Sequence, residues 1–204
     1  MDEILGVGVI SENNSTSSDV TTYHLEKRRI ILNTLVDDDL LEKVSMMIMK
    51  WNEEDKFIEK KYRKKIVIFI NSDGGDSVMG LHLLNMIKCS KTPVYTVGCA
   101  KCSSMASYIL AAGHKRYCFE DTVILYHDGT AGYYSSGNKG KDIQKFYDSL
   151  DEKMKNFMMR NTKMTEEFLD SIKDREYYMF PEEAKELGIV DYIIGVDCKL
   201  NNIF

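Results

Sequence analysis

Two stretches of the chain are dense in apolar, β-branched and aromatic residues: KIVIFIN at 65–71 and PVYTVG at 93–98. The first does not alternate with polar residues, which is the pattern of a strand buried on both faces of a parallel sheet. Each is followed by a turn of small residues and then by a helical apolar spacing. SDGGDS leads into VMGLHLLNMIK, and GCAKCSS leads into MASYILAA, which Gly113 stops. Strand, turn, helix and strand in this order make βαβ units, so the fold class is α/β.

The remaining pattern fills in around that centre. Residues 29–33 predict a first strand, and LVDDDLLEKVSMMIMKW at 35–51 a helix with an acidic first turn. After Gly113 come two short strands with a turn at Glu120-Asp121, the second being TVILYH. GTAGYYSSGNKGKD at 129–142 reads as a mobile loop or ragged hairpin. A long amphipathic helix starts at Asp142, and its Met and aromatic stripe is either core or an oligomer face. A Thr-Glu-Glu cap begins a further helix. FPEEAKELGIVDYII predicts a proline-started helix stopped at Gly188 and a last strand. Residues 1–24 are polar from Ser11 onward and read as a flexible arm with a short apolar anchor at 4–10. Residues 25–204 read as a single domain.

Composition narrows the classes. A length of 204 residues with 44% hydrophobics suffices for one full core, and a net charge of −5 speaks against a nucleic-acid surface. EKKYRKK, flanked by acidic residues, reads as a solvated loop. The five cysteines have no framework spacing, which favours a reduced, cytoplasmic protein. Cys99 and Cys102 form a CxxC, but no second pair or histidine pair completes a zinc site, so they read as small buried residues. Neither a signal peptide nor an apolar run of membrane length is read in the sequence, and no metal or cofactor is expected.

Candidate chemistry gathers at strand ends. Ser103 and Ser104 sit between a strand and a helix N-terminus, where free N–H groups favour developing negative charge. That suits a nucleophilic serine, although the same position suits a plain N-cap. Gly74 and Gly75 permit a tight turn with exposed N–H groups. Neither GxGxxG nor GxxxxGK[ST] accompanies them, so a nucleotide site is weakly supported; the turn could instead lend the serine turn an N–H. Of four histidines, His24 lies in the arm, His82 on a helix and His114 after the helix stop; only His127 ends a strand near both turns.

The segments Asn71-Ser72-Asp73-Gly74-Gly75, SSMASYILAAG, the YH at a strand end and EEAKELGIVD, in this order, resemble the proteolytic subunit of the Clp protease, ClpP, from about residue 28 to 194. The resemblance implies a crotonase-like spiral of βαβ units with a head and a protruding helical handle, the latter at 142–161. It implies Ser104 as nucleophile, His127 as general base, and the Gly75 and Met105 N–H groups as an oxyanion hole. The triad carboxylate falls on Glu176, where the family has aspartate; Asp174 is the competing candidate. Proline is usual where Asp73 stands and glycine where Ala100 stands. The segment 113–127 is shorter than usual and the following loop longer. The resemblance further implies an ATP-dependent serine endopeptidase with two stacked heptameric rings, and an AAA+ unfoldase that supplies unfolded polypeptide. Alternatives are a non-catalytic ring subunit, an acyl-CoA enzyme of the same fold, and a membrane-bound relative that digests signal peptides. The Ser104–His127 pair disfavours the first two, and the absent anchor the third.

Overall fold

The structure, a computed structural model, describes residues 14–129, 132 and 134–204. The apolar anchor expected at 4–10 and part of the loop at 129–142 lie outside the described residues. A mostly parallel sheet runs in the order β1 (Arg29–Leu32), β2 (Ile66–Ser72), β3 (Val94–Ser103), β4 (Lys115–Phe119) and β7 (Tyr192–Ile194). A further strand, β5 (Val123–Tyr126), pairs parallel with the far end of β3. It also carries the antiparallel β6 (Tyr177–Met179). Both faces of β2 are covered, which accounts for its unbroken apolar run. Ile66, Ile68 and Ile70 enter the main core under the helices, whereas Val67 belongs to a smaller cluster with Val97, Tyr117, Ile194 and Ile203.

The helices form the other layer. They are α2 (Met46–Glu54), α3 (Ser77–Cys89), α4 (Met105–Ala112), α5 (Gly137–Asn161), α6 (Glu166–Ser171) and α7 (Pro181–Glu186). Asp76 caps α3 by accepting from the Val78 and Met79 N–H groups, and Thr165 caps α6 by accepting from Phe168. All eight residues of α4 are buried, so it serves as the central element of the layer.

Several elements differ from what the pattern predicts. Ser103 is not part of a turn: β3 continues to it, because Lys101, Cys102 and Ser103 pair with Val123, Ile124 and Leu125. The helix expected from residue 35 begins as a π-helical turn at Leu41–Ser45 and becomes α-helical at Met46. Val36 is held elsewhere, in a parallel bridge to Gly75. The stretch read as an arm up to residue 24 is helical over Asn14–Glu26 (α1), with His24 and Leu25 half-buried against β1. Its low intrinsic propensity yields to tertiary contact.

The long helix begins at Gly137 rather than Asp142, and at 25 residues it is about 37 Å long. Its stripe divides in two. Leu150, Met154, Phe157 and Met158 are core, with Phe157 against Tyr108, whereas Phe146 is 53% exposed on the half from 137 to 149, which has no buried residue. Phe157 is therefore a packing residue, not a candidate for a surface contact.

Arg28 ties the start of the sheet to α2. Its guanidinium donates to Asp55 at 2.6 and 2.9 Å, to Glu54 at 3.1 Å and to the Lys64 carbonyl at 3.1 Å. Asp55 also accepts from the Thr92 hydroxyl at 2.8 Å. Burial works against the Asp55 charge, but the hydrogen bonds from Arg28 and Thr92 outweigh it and hold the carboxyl below its ordinary range. A carboxylate with a lowered folded pKa stabilises the fold above its unfolded value, and that contribution is lost as pH falls through the folded value. Asp55→Ala should cost about 3–5 kcal/mol at pH 7, measured by denaturant unfolding, because it leaves Arg28 buried without its main partner. The difference from the wild type should narrow below about pH 4.

Candidate active site

Strand β3 delivers Ser104, and its neighbour β5 delivers His127. Ser103 is paired with Leu125, and the Ser104 N–H donates to the Leu125 carbonyl at 2.9 Å. His127 follows two residues later, just past the end of β5. At Ser104 the chain must leave a strand whose last three residues are paired with β5 and enter α4 without a linker. It does so with φ 53° and ψ −128°, a conformation that L-residues seldom adopt. An N-cap serine would sit in the β region with its oxygen on the helix N–H groups. Ser104 makes no such side-chain bond. Its Oγ lies 2.6 Å from His127 Nε2. The half-exposed Ser104 also contrasts with Ser103, which is 6% exposed.

The other ring nitrogen meets a carboxylate. Glu176 Oε1 lies 3.0 Å from His127 Nδ1. Glu176 stands immediately before β6, whose Tyr177 pairs with Tyr126 immediately before His127, so the antiparallel ladder sets the two side chains opposite each other. Asp174, the competing carboxylate, lies in a left-handed turn at φ 59°, and its N–H donates to Asp128 Oδ2 at 2.7 Å. Of the two candidates, Glu176 is the one set against the imidazole. Its side chain is 56% exposed, while that of His127 is 21% exposed.

Gly74 and Gly75 pack against the serine turn. A Cβ at Gly74, where φ is +91°, would lie 2.6 Å from the Ser103 oxygen and 2.8 Å from both the Met105 nitrogen and the Ser104 Cβ. No side chain fits there. Gly75, at φ +147°, is clasped from its other side by Val36: the Val36 N–H donates to the Gly74 carbonyl at 2.8 Å, and the Asp76 N–H to the Val36 carbonyl at 2.7 Å. Among the described residues, the Gly75 and Met105 N–H groups donate to no hydrogen bond. Both remain available to a ligand. Asp73 forms an ion pair with Lys101 at 2.5 Å.

The other residues singled out from the sequence lie elsewhere. His114 accepts the Val94 N–H on Nδ1 at 2.9 Å, and His82 lies within α3. Cys102 is fully buried, and burial pushes the Cys99 thiol up to about 11, so neither is a ready thiolate at neutral pH. All five cysteines are free. Among the described residues no group of three or more His, Cys, Asp or Glu could hold a metal, and no helix is long and apolar enough to cross a membrane. Two residues bearing on the site were missed from the sequence, Val36 and Asp128. The first gives no local signal. The second shows only as the polar end of a strand.

A serine turn backed by a Gly-Gly turn, with a histidine and a carboxylate in line, can be compared with known proteins. Residues 12–197 match the Clp protease family. The chain is 30% identical over 180 residues to the ATP-dependent Clp protease proteolytic subunit 3, chloroplastic, of Arabidopsis thaliana, covering 86% of this chain and 56% of that one. It is 28% identical over 180 residues to the ATP-dependent Clp protease proteolytic subunit 2 of Bacillus licheniformis, covering 87% and 92% respectively. The chain thus spans little more than half the length of the first relative and nearly all of the second. With the sheet, the helical layer and all of the candidate site inside the matched region, the chain belongs to the Clp protease family.

Proposed function

We propose that this chain is a catalytically competent serine endopeptidase subunit that cuts unfolded polypeptides into short peptides. The observation that carries the reading is the 2.6 Å contact between Ser104 Oγ and His127 Nε2, made by a serine whose hydroxyl does not cap its helix. His127 takes the Ser104 proton as Oγ attacks the peptide carbonyl, and the oxyanion rests against the N–H groups of Gly75 and Met105. Each such donor is worth about 3–4 kcal/mol in other serine enzymes. Collapse of the tetrahedral adduct breaks the C–N bond, and His127 returns the proton to the leaving amine. Water, deprotonated by His127, then attacks the acyl-enzyme and frees Ser104. Glu176 accepts the Nδ1–H, fixing the tautomer and stabilising the imidazolium. Substrate binds by strand addition beside the loop after His127.

The same reading assigns the context of the site. The subunits stack as rings, two heptamers in the family arrangement, and a partner AAA+ unfoldase supplies the chains, since the sequence carries no ATP-binding motif of its own. The reaction needs no cofactor. Five free cysteines suit a reducing setting such as the cytoplasm. A non-catalytic ring subunit is the second reading; Ala100 and the longer carboxylate of Glu176 favour it.

Two experiments test this. A fluorophosphonate probe should label Ser104 and not Ser103, and Ser104→Ala should abolish cleavage of short fluorogenic peptides. Glu176→Gln should lower turnover by about a hundredfold or more with the assembly intact, whereas Asp174→Asn should not. Labelling at Ser103, or no labelling at all, would sink the catalytic reading. For assembly, Phe146→Glu on the exposed half of α5 should split or destabilise the ring in light scattering, and a monomeric wild type at micromolar concentration would count against rings.

A further inference from the structure

We propose that Asp128 is a positioning residue for the reaction, acting through Glu176. This rests on the peptidase reading given above. Beyond the Tyr126–Tyr177 pair the β5–β6 ladder ends, and Glu176 must be presented to His127 by a turn that is no longer part of the sheet. That turn contains a non-glycine residue in the left-handed region, Asp174 at φ 59°. Aspartate tolerates this region better than most residues, but it still needs a contact to fix the turn in one place. Beyond the local turn bonds of Ile172 and Lys173 back to α6, the contact that ties this turn to the end of β5 is the hydrogen bond from the Asp174 N–H to Asp128 Oδ2 at 2.7 Å. Asp128 directly follows His127, so one dipeptide holds both ends of the arrangement. His127 receives the carboxylate, and Asp128 anchors the backbone that carries it.

The need for such an anchor follows from exposure. Glu176 is 56% exposed and one methylene longer than aspartate, so without a fixed backbone its carboxylate has many solvated rotamers available besides the one at Nδ1. A tether two residues upstream restricts the Cα, and with it the arc that the carboxylate can reach. A charge-assisted bond from a carboxylate to a backbone N–H is among the stronger ones available for this. Asparagine can make the same contact through its side-chain oxygen without the charge. This separates anchoring from any effect of the Asp128 charge on the imidazole.

The test uses the full chain. Asp128→Ala should lower kcat on a short fluorogenic peptide by about tenfold to a hundredfold while KM stays nearly unchanged, the range that follows from small misplacements of catalytic groups. Hydrogen–deuterium exchange should quicken over residues 173–176 and not elsewhere. Asp128→Asn should restore both readouts to near the wild type. In a Glu176→Gln background, Asp128→Ala should bring no further loss, because the two residues act in series. Unchanged kcat in Asp128→Ala would overturn the proposal, as would an Asp128→Asn variant as impaired as the alanine one, or full additivity with Glu176→Gln. If the wild type labels with the fluorophosphonate and Asp128→Ala is unaffected, only the tether fails. If the wild type neither labels nor cleaves, the peptidase reading fails and the tether has no catalytic role.

Discussion

Strand β3 changes neighbours part-way along, and the geometry of the candidate site depends on that change. Its first half pairs with β4 through Tyr95–Gly98, and its last three residues pair with β5. Because Lys101 to Ser103 are paired with β5, the reversal into α4 falls on one residue, Ser104, which takes positive φ. The same switch brings β5 directly beside the serine strand, so that His127 arrives within hydrogen-bond reach without any long loop. Had β3 frayed after Gly98, Ser104 would be an ordinary cap and His127 would have no fixed neighbour.

A second constraint comes from the opposite side. The Gly-Gly turn is pressed between the Ser104 turn and the backbone of Val36, with room for a Cβ at neither glycine. Three backbone segments distant in sequence thus lie against one another through main-chain atoms. Main-chain packing of this kind does not depend on side-chain rotamers, and it suits two N–H groups that must be held in place before a ligand arrives.

The parts legible in the sequence were those governed by local periodicity. The buried run at 65–71, the apolar helix ended by Gly113 and the proline-started helix at Pro181 follow from short-range rules, and their positions hold to within a residue or two. The serine turn and His127 stood out as candidates because strand ends in a parallel sheet converge, whereas the choice of Ser104 over Ser103 and of Glu176, with Asp174 as competitor, came only from the family resemblance. What stayed hidden required pairing between distant segments. The bridge from Val36 to Gly75 removes Val36 from the helix that its neighbours predict. The extension of β3 to Ser103 depends on a strand twenty residues further on. The helix over Asn14–Glu26 forms from residues that, judged alone, prefer to be solvated. Asp128 read as a strand end because its partner, the N–H of Asp174, is a backbone group that carries no mark in the sequence.

The exposure of Glu176 has a consequence for the dielectric of the site. With over half of its side chain in water, its charge is heavily screened, and what the contact with His127 supplies in the open cleft is mainly direction: a fixed acceptor for one ring proton. Screening is not a fixed property of the pair. On the peptidase reading, a peptide backbone laid along the rim would displace water from the carboxylate and lower the local dielectric, so that the same 3.0 Å contact would hold the ring proton more firmly when the cleft is filled than when it is empty.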